Sequence, residues 1–286
     1  MILVDSPHIG REPMPLSEAL EMAVRTDPGR LRPHNEDAVF CDAALGLAIL
    51  ADGMGGYNAG EVASSMATTL LADSIVRTQD DREPQEFDPS GLRVAHRQLR
   101  ERIEEANAEI YFAAQNQPQF AGMGTTLVVV WFYDNRLTVA HLGDSRLYRL
   151  RAGRLERLTR DHSLLQEQLD SGMISAEQAS VSRRRNLVTR ALGVDLRVNP
   201  ELQDFEAQPG DLYLLCSDGL SDMVDDEEIG QAVQALGSDP AILAEQLVQM
   251  ANDNGGRDNV SVIVTRVRGG FPARAGWWQK LLSRFG

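Results

Sequence analysis

Lysine is almost absent from this 286-residue chain: Lys280 is the only one, and arginine supplies every other basic residue counted with it. That scarcity excludes a phosphate-binding P-loop, which needs Gly-Lys-Ser/Thr, and a lysine acting as Schiff base or general base. Cysteine is nearly as rare. Cys41 and Cys216 cannot build a disulfide framework, and neither has a Cys or His partner at zinc-ligand spacing. No apolar run approaches the ~18 residues of a membrane helix, Leu127–Tyr133 being among the longest. Positive charge is short as well: 28 basic against 42 acidic side chains give −14, the wrong sign for a general nucleic-acid binder. The N-terminus carries Asp5 and has no basic start before an apolar stretch, so it does not read as a secretory signal. The expectation is a cytoplasmic protein with no nucleic-acid partner and no integral membrane span.

What is present alternates between β-like and helical patterns from Met22 onward, after a loosely patterned lead over residues 1–20. Strands are expected over Ala38–Cys41 and Gly46–Ala51, joined by a turn at Asp42, and a helix over Glu61–Val76 with Val62, Met66 and Leu70 on its apolar face. Asp88-Pro89 reads as the start of a long helix reaching Gln115, with Leu92, Ala95, Leu99, Ile103, Ala106 and Ile110 along one side. Thr125–Tyr133 and Arg136–Leu142 flank Asp134-Asn135 as a hairpin, and a second hairpin closes around Ala152-Gly153-Arg154. A short helix is expected over Ser163–Gly172, then a strand over Asp211–Cys216. Two further helices follow, the first with Asp225 and Glu228 as a capping pair, and a last strand over Val260–Arg268. Hairpin connections dominate, which implies mostly antiparallel sheets covered by helices in one domain.

Four apolar segments meet an aspartate where they begin or end. Ala48–Ala51 runs into Asp52-Gly53, Leu137–Leu142 into Gly143-Asp144-Ser145, Tyr213–Cys216 into Ser217-Asp218-Gly219, and Asp258-Asn259 precedes Val260–Val264. Each taken alone is an ordinary turn pair. Together they place four strand-end carboxylates from distant parts of the chain at one edge of a sheet core. Such a cluster needs compensating charge, and hard cations bound by carboxylates, carbonyls and water supply it, which points to Mg²⁺ or Mn²⁺. Two ions would lower the pKa of a shared water and aim it at phosphorus. Arg30-Leu31-Arg32-Pro33-His34 leads into Asn35-Glu36-Asp37, a basic anchor for a substrate phosphate beside two carboxylates able to hold metal-bound waters.

The ordered set Arg32-x-x-Asn-Glu-Asp37, Ala51-Asp-Gly-Met-Gly-Gly56, Gly122-Met-Gly-Thr-Thr126, Gly143-Asp-Ser-Arg146, Ser217-Asp-Gly-Leu220 and Gly256-x-Asp-Asn259 resembles the metal-dependent serine/threonine protein phosphatases of type 2C in their bacterial form. The resemblance covers about Met22 to Val267. It implies an α+β fold of two stacked antiparallel β-sheets with helices on both outer faces, over residues 21–268, with a flap at about 160–190 beside the active site. It implies that Asp52 bridges two metal ions, that the Gly53 carbonyl binds the first, and that Asp218 and Asp258 bind the second. Asp144, with Asp218, matches the residues that hold a third, weaker ion. Arg32 matches the phosphate-binding arginine, with Glu36 and Asp37 behind the metal-bound waters. The implied activity is hydrolysis of phosphoserine and phosphothreonine on proteins by a metal-activated water, the expected partners being a serine/threonine kinase or its targets. The alternative is a catalytically weak phosphoprotein-binding regulator of the same fold.

Three positions depart from that pattern. Met54 stands where animal relatives carry histidine, Tyr57 where many bacterial ones do, and Ser182-Arg183-Arg184-Arg185-Asn186 where His-Pro-x-Arg-Asn is more usual. The proton donor is therefore open: metal-bound water is one candidate, and His34, His141 and His162 remain, though a lone histidine is more often structural. A dinucleotide fingerprint at Asp52–Gly56 is excluded by its glycine spacing and by hairpins in place of βαβ units. Residues 269–286 form a separate basic, aromatic tail containing Trp277, Trp278, Lys280, Leu281, Arg284 and Phe285. It reads either as a dock for an acidic partner or membrane surface or as a helix closing the domain.

Overall fold

The structure is a computed structural model and describes residues 14–56, 58–77, 82–175, 178 and 187–273. Two antiparallel sheets stack face to face. The first contains β1 (Leu20–Asp27), β11 (Val260–Val267), β10 (Leu212–Cys216), β7 (Arg146–Arg151) and β8 (Arg154–Arg157), in that order. The second runs β2 (Asp37–Asp42), β3 (Leu47–Met54), β5 (Leu127–Tyr133), β6 (Arg136–Leu142) and β9 (Glu201–Glu206), with the short β4 (Gly124–Thr125) paired to the end of β3. Helices α2 (Ala59–Val76) and α3 (Val94–Asn116) cover the second sheet, and α6 (Asp226–Leu236) and α7 (Pro240–Asp253) cover the first.

The central strands are apolar on both faces because each face has its own cover. Along β5, Leu127, Val129, Trp131 and Tyr133 pack under α2 and α3, while Val128, Val130 and Phe132 enter the layer between the sheets. The same alternation divides β10: Tyr213 and Leu215 face the inter-sheet core, and Leu212, Leu214 and Cys216 face α6 and α7. A period of two thus feeds two separate cores, fixing register on both sides. The hairpin turns fall at Asp134-Asn135 (φ 43° and 52°) and Ala152-Gly153 (φ 50° and 78°). Asp225 and Glu228 form a complete capping box at the start of α6.

Three local expectations change. The long helix starts at Val94, not at Asp88-Pro89, because the Asp88 carboxylate folds back on its own loop and accepts from the Ser90 and Leu92 N–H groups. On α2, Ala63, Ala67 and Leu71 are fully buried while Val62, Met66 and Leu70 are only partly so. Ala63, Ala67 and Leu71, each one position further along, mark the face that lies against the sheet. Strand β9 carries no strand expectation from the sequence; its Glu-Leu-Gln-Asp-Phe-Glu run is an edge strand paired to β6 on one side only. At the start of the chain, a helical turn over Leu16–Ala19 leads directly into β1, and Ala19 and Leu20 are buried. No helix among the described residues is long and apolar enough to cross a membrane. Tyr57, Ser182–Asn186 and residues 274–286, the greater part of the tail, lie outside the described residues.

Candidate active site

The acidic strand ends meet at one end of the sandwich. Asp37 and Asp52 face each other across β2 and β3, Asp144 follows β6, Asp218 opens the short helix α5 (Asp218–Ser221) after β10, and Asp258 precedes β11. Each feels the charge of its neighbours. Burial first, then Asp37, Asp218, Asp144 and Asp258, pushes the Asp52 carboxyl well above the usual carboxylate range. Asp218 is pushed up likewise by burial and then by Asp144, Asp222, Asp258 and Asp37. Burial raises Asp37 and Asp144 to about 6 each, with Asp161 the next cause at Asp144. Glu36 is raised by burial as well.

The motif residues between the aspartates hold them in place. Thr126 Oγ1 accepts from the Asp52 N–H (3.1 Å) while the Thr125 hydroxyl donates to the Asp52 carbonyl (2.9 Å). Ser217 Oγ donates to Asp37 Oδ2 at 2.8 Å and accepts from the Ser261 N–H at 3.0 Å, tying the first sheet to the second. Glycine at 53 and 219 is a matter of space. A Cβ on Gly53 would run into the Gly60 carbonyl, and one on Gly219 into the Asn259 carbonyl. The second contact draws Asp218 up to the Asp258-Asn259 turn.

Asn259 in turn carries the arginine loop. Its amide donates to the Pro28 (3.0 Å) and His34 (2.9 Å) carbonyls, and its Oδ1 accepts from the Glu36 N–H at 2.7 Å. Both ends of residues 28–36 are thereby fixed to the edge of β11. Arg32, half-exposed, donates from Nη2 to Asp258 Oδ2 at 2.7 Å and feels Glu36 and Asp218 beyond it. Beside Asp144 and Asp218 a cleft of about 510 Å³ runs between α4 (Leu164–Asp170) and the start of α6, lined by Asp161, Ser163, Leu165 and Asp222 among others.

Every aspartate singled out from the sequence therefore lies in one cluster, with Arg32 and Glu36 at its rim. Sequence reasoning missed Asp222 and Asp161, which add negative charge beside Asp218 and Asp144. Asp222 stands four residues after Asp218, the spacing of one helical turn, and that signal was available. It also missed the part played by Asn259, whose type and place next to Asp258 showed nothing beyond a turn.

The pattern that defines protein phosphatase 2C matches residues 33–259. The chain belongs to this family. It is 43% identical over 248 residues to the serine/threonine protein phosphatase PstP of Mycobacterium tuberculosis, an alignment covering 87% of this chain and 45% of that one. The chain thus spans under half the length of that relative. It is 40% identical over 243 residues to the serine/threonine phosphatase stp of Listeria monocytogenes, covering 84% of this chain and 93% of that one. Among solved structures, Stp1 from Staphylococcus aureus superposes with a TM-score of 0.79 at 34% identity, covering 91% of this chain and all of the other. The catalytic domain of PstP in complex with two manganese ions superposes with a TM-score of 0.73 at 39% identity, covering 86% and 97%. Both the architecture and the ordered motifs are those of a type 2C phosphatase.

Proposed function

We propose that this chain hydrolyses phosphoserine and phosphothreonine on proteins, with two Mn²⁺ or Mg²⁺ ions at the acidic cluster. The observation that carries the reading is the convergence of Asp37, Asp52, Asp144, Asp218 and Asp258, with Arg32 at their edge and Arg146, bonded to Asp161, beside Asp144. The donor set fits divalent cations. Glu36 Oε1 and Asp37 Oδ1 are buried with no hydrogen-bond partner, and Arg32 and Arg146 cannot neutralise the carboxylates gathered here, Asp161 and Asp222 included. Asp52, the Gly53 carbonyl, Asp218 and Asp258 would hold the pair of ions. Asp144 with Asp218 would hold a third, and Glu36 and Asp37 would act through bound water. When bound, the ions acidify and orient a water for in-line attack on phosphorus.

The chain's own groups do the rest. Arg32 would present a planar fork to the phosphate, and its present partner Asp258 keeps that fork beside the acidic cluster before substrate arrives. His141 and His162 are committed to backbone partners rather than poised as proton donors: His162 Nδ1 accepts from the Gly143 N–H and His141 Nε2 faces the Arg160 carbonyl. The His34 carbonyl accepts from Asn259. The substrates would be phosphorylated proteins, a serine/threonine kinase or its targets among them.

A phosphopeptide assay with Mn²⁺, with EDTA, and with Asp218→Asn tests the reading. Phosphate release in Mn²⁺ that stops with EDTA and with the substitution is expected. Release surviving both would overturn the metal-dependent reading, and phosphopeptide binding without turnover would favour a regulator of the same fold.

A further inference from the structure

Behind the Gly143-Asp144-Ser145 turn lies a side-chain cluster to which the site assigns no role: His141 on β6, Glu201 opposite it on β9, and His162 at the start of the 160–190 segment. The three could be taken for a transition-metal site, since their ligand atoms lie within 4.8 Å of one another. The ring geometry argues otherwise. The two imidazoles stack with centroids 4.6 Å apart and planes 10° from parallel. A ring nitrogen binds an ion in the plane of its own ring, and nearly parallel stacked rings share no such point. Both histidines are also committed to protein partners. His141 Nε2 faces the Arg160 carbonyl at 2.9 Å and so donates. His162 Nδ1 faces the Gly143 N–H at 3.2 Å and so accepts, which leaves the proton on Nε2, 3.4 Å from Glu201 Oε2.

His162 therefore grips Gly143 from both sides. Its backbone N–H donates to the Gly143 carbonyl at 2.9 Å, and its ring accepts from the Gly143 N–H. The peptide units before and after Gly143 are held by one residue. Gly143 has no slack of its own: at φ +101° it lies where a Cβ would stand 2.7 Å from Thr126 Cβ and Cγ2. Thr126 is the residue that holds the Asp52 N–H, and its hydroxyl pairs with Ser145 Oγ at 2.7 Å. The His162 carbonyl also accepts from Thr189 N–H (2.8 Å), where the segment that leaves at Asp161 returns.

We propose that His162 is a positioning residue that aims the Asp144 carboxylate, by fixing both peptide groups of Gly143 with a ring that Glu201 holds in its Nε2–H tautomer. The inference rests on the reading of Asp144 as part of the metal site. The ring must stay neutral to accept from Gly143, and its burial beside His141 and Arg190 keeps it so. This is the arrangement by which a group behind a ligand sets the ligand's direction, and loss of such a group commonly lowers metal affinity about 10- to 100-fold.

Two substitutions separate the ring's two contacts. In His162→Asn the amide oxygen takes the place of Nδ1 and still accepts from Gly143, but cannot reach Glu201. In His162→Gln the longer amide reaches Glu201 and offers nothing at the Nδ1 position. Mn²⁺ titration by calorimetry, with melting of the metal-free proteins as a check on folding, is the measurement. Expected is a weakest Mn²⁺ site about tenfold or more weaker in His162→Gln, restored to within about threefold of the parent in His162→Asn. Equal Mn²⁺ binding by His162→Gln and the parent overturns the proposal, and so does equal impairment of both variants. Asp144→Asn in the same titration tells the two readings apart. If it weakens Mn²⁺ binding while His162→Gln does not, only the positioning role fails. If it leaves binding unchanged, the reading of Asp144 fails and the positioning role with it.

Discussion

Asp37 and Asp52 stand directly opposite one another on β2 and β3, a cross-strand pair of like charge at the centre of the acidic cluster. Such pairs destabilise a sheet by up to about 1 kcal/mol when nothing neutralises them. Asp37→Asn is accordingly expected to melt at a higher temperature than the parent in EDTA, and to gain less than the parent from added Mn²⁺. A parent protein whose midpoint does not respond to Mn²⁺ would count against the site.

In the proposed reading Arg32 offers the phosphate a bidentate fork, so its removal should act on substrate binding. Charge-assisted hydrogen bonds contribute about 1.5–3 kcal/mol, and Arg32→Ala is expected to lower kcat/KM for a phosphopeptide about 10- to 100-fold, mostly through KM. Arg32→Lys should recover little, since a point charge does not reproduce the fork. Steady-state kinetics at saturating Mn²⁺ decides the matter, and an unchanged KM in Arg32→Ala would remove the role.

Asn259→Ala deletes three hydrogen bonds that fasten residues 28–36 to β11. At about 1 kcal/mol net for each, the loss in stability is expected to reach about 3 kcal/mol. Because that loop carries Arg32, the KM should rise alongside it. Urea unfolding and kinetics on the same preparation test the link: a destabilised variant with the parent's KM would show that the loop holds its place without Asn259.

The folded state keeps His162 neutral, its ring pushed down to about 4 from the usual 6.5 by burial, then by His141 and Arg190, with Glu201 opposing them. Between those values the folded protein binds fewer protons than the unfolded chain, so stability increases with pH across the window. The contribution is complete above about pH 6.5 and is lost as the pH falls through about 4. His162→Asn has no such group. Melting the metal-free parent and the variant at pH 4.5 and pH 7 should show the larger acid-induced drop in the parent, and parallel drops would contradict the assignment.

Most of the site was legible in the sequence because its chemistry depends on residue type at fixed chain positions. Asp52-Gly53, Asp218-Gly219 and Asp258-Asn259 are pairs that almost nothing else could replace, since Gly53 and Gly219 meet backbone where any side chain would stand. The buried strands were legible for the same kind of reason, their apolar runs being needed on both faces. What stayed hidden depends on the partner across space. The Ala63–Ala67–Leu71 face of α2 is chosen by how closely the helix approaches the sheet, which residue size along one helix does not reveal. The polar run of β9 becomes a strand because β6 offers an open edge. Asp88 could cap a helix or close a loop, and the loop prevails through its bonds to Ser90 and Leu92.

The acidic cluster is split between the two sheets. Asp37 and Asp52 belong to the β2–β3 side, Asp218 and Asp258 to the β10–β11 side, and Asp144 sits on the connection that crosses from one to the other. The two layers are otherwise joined at this end by Ser217 and a few loop contacts. As a metal site, the proposed reading, the cluster would work as a gauge of sheet spacing. A core substitution at Phe132, Leu137 or Val267, deep in the inter-sheet layer and at the other end of the strands from the acidic cluster, changes the separation that the carboxylates must span. Under the proposed reading, affinity for the ions is a property of the whole sandwich, and packing errors remote from the cleft are expected to register there as weaker metal binding before they register as unfolding.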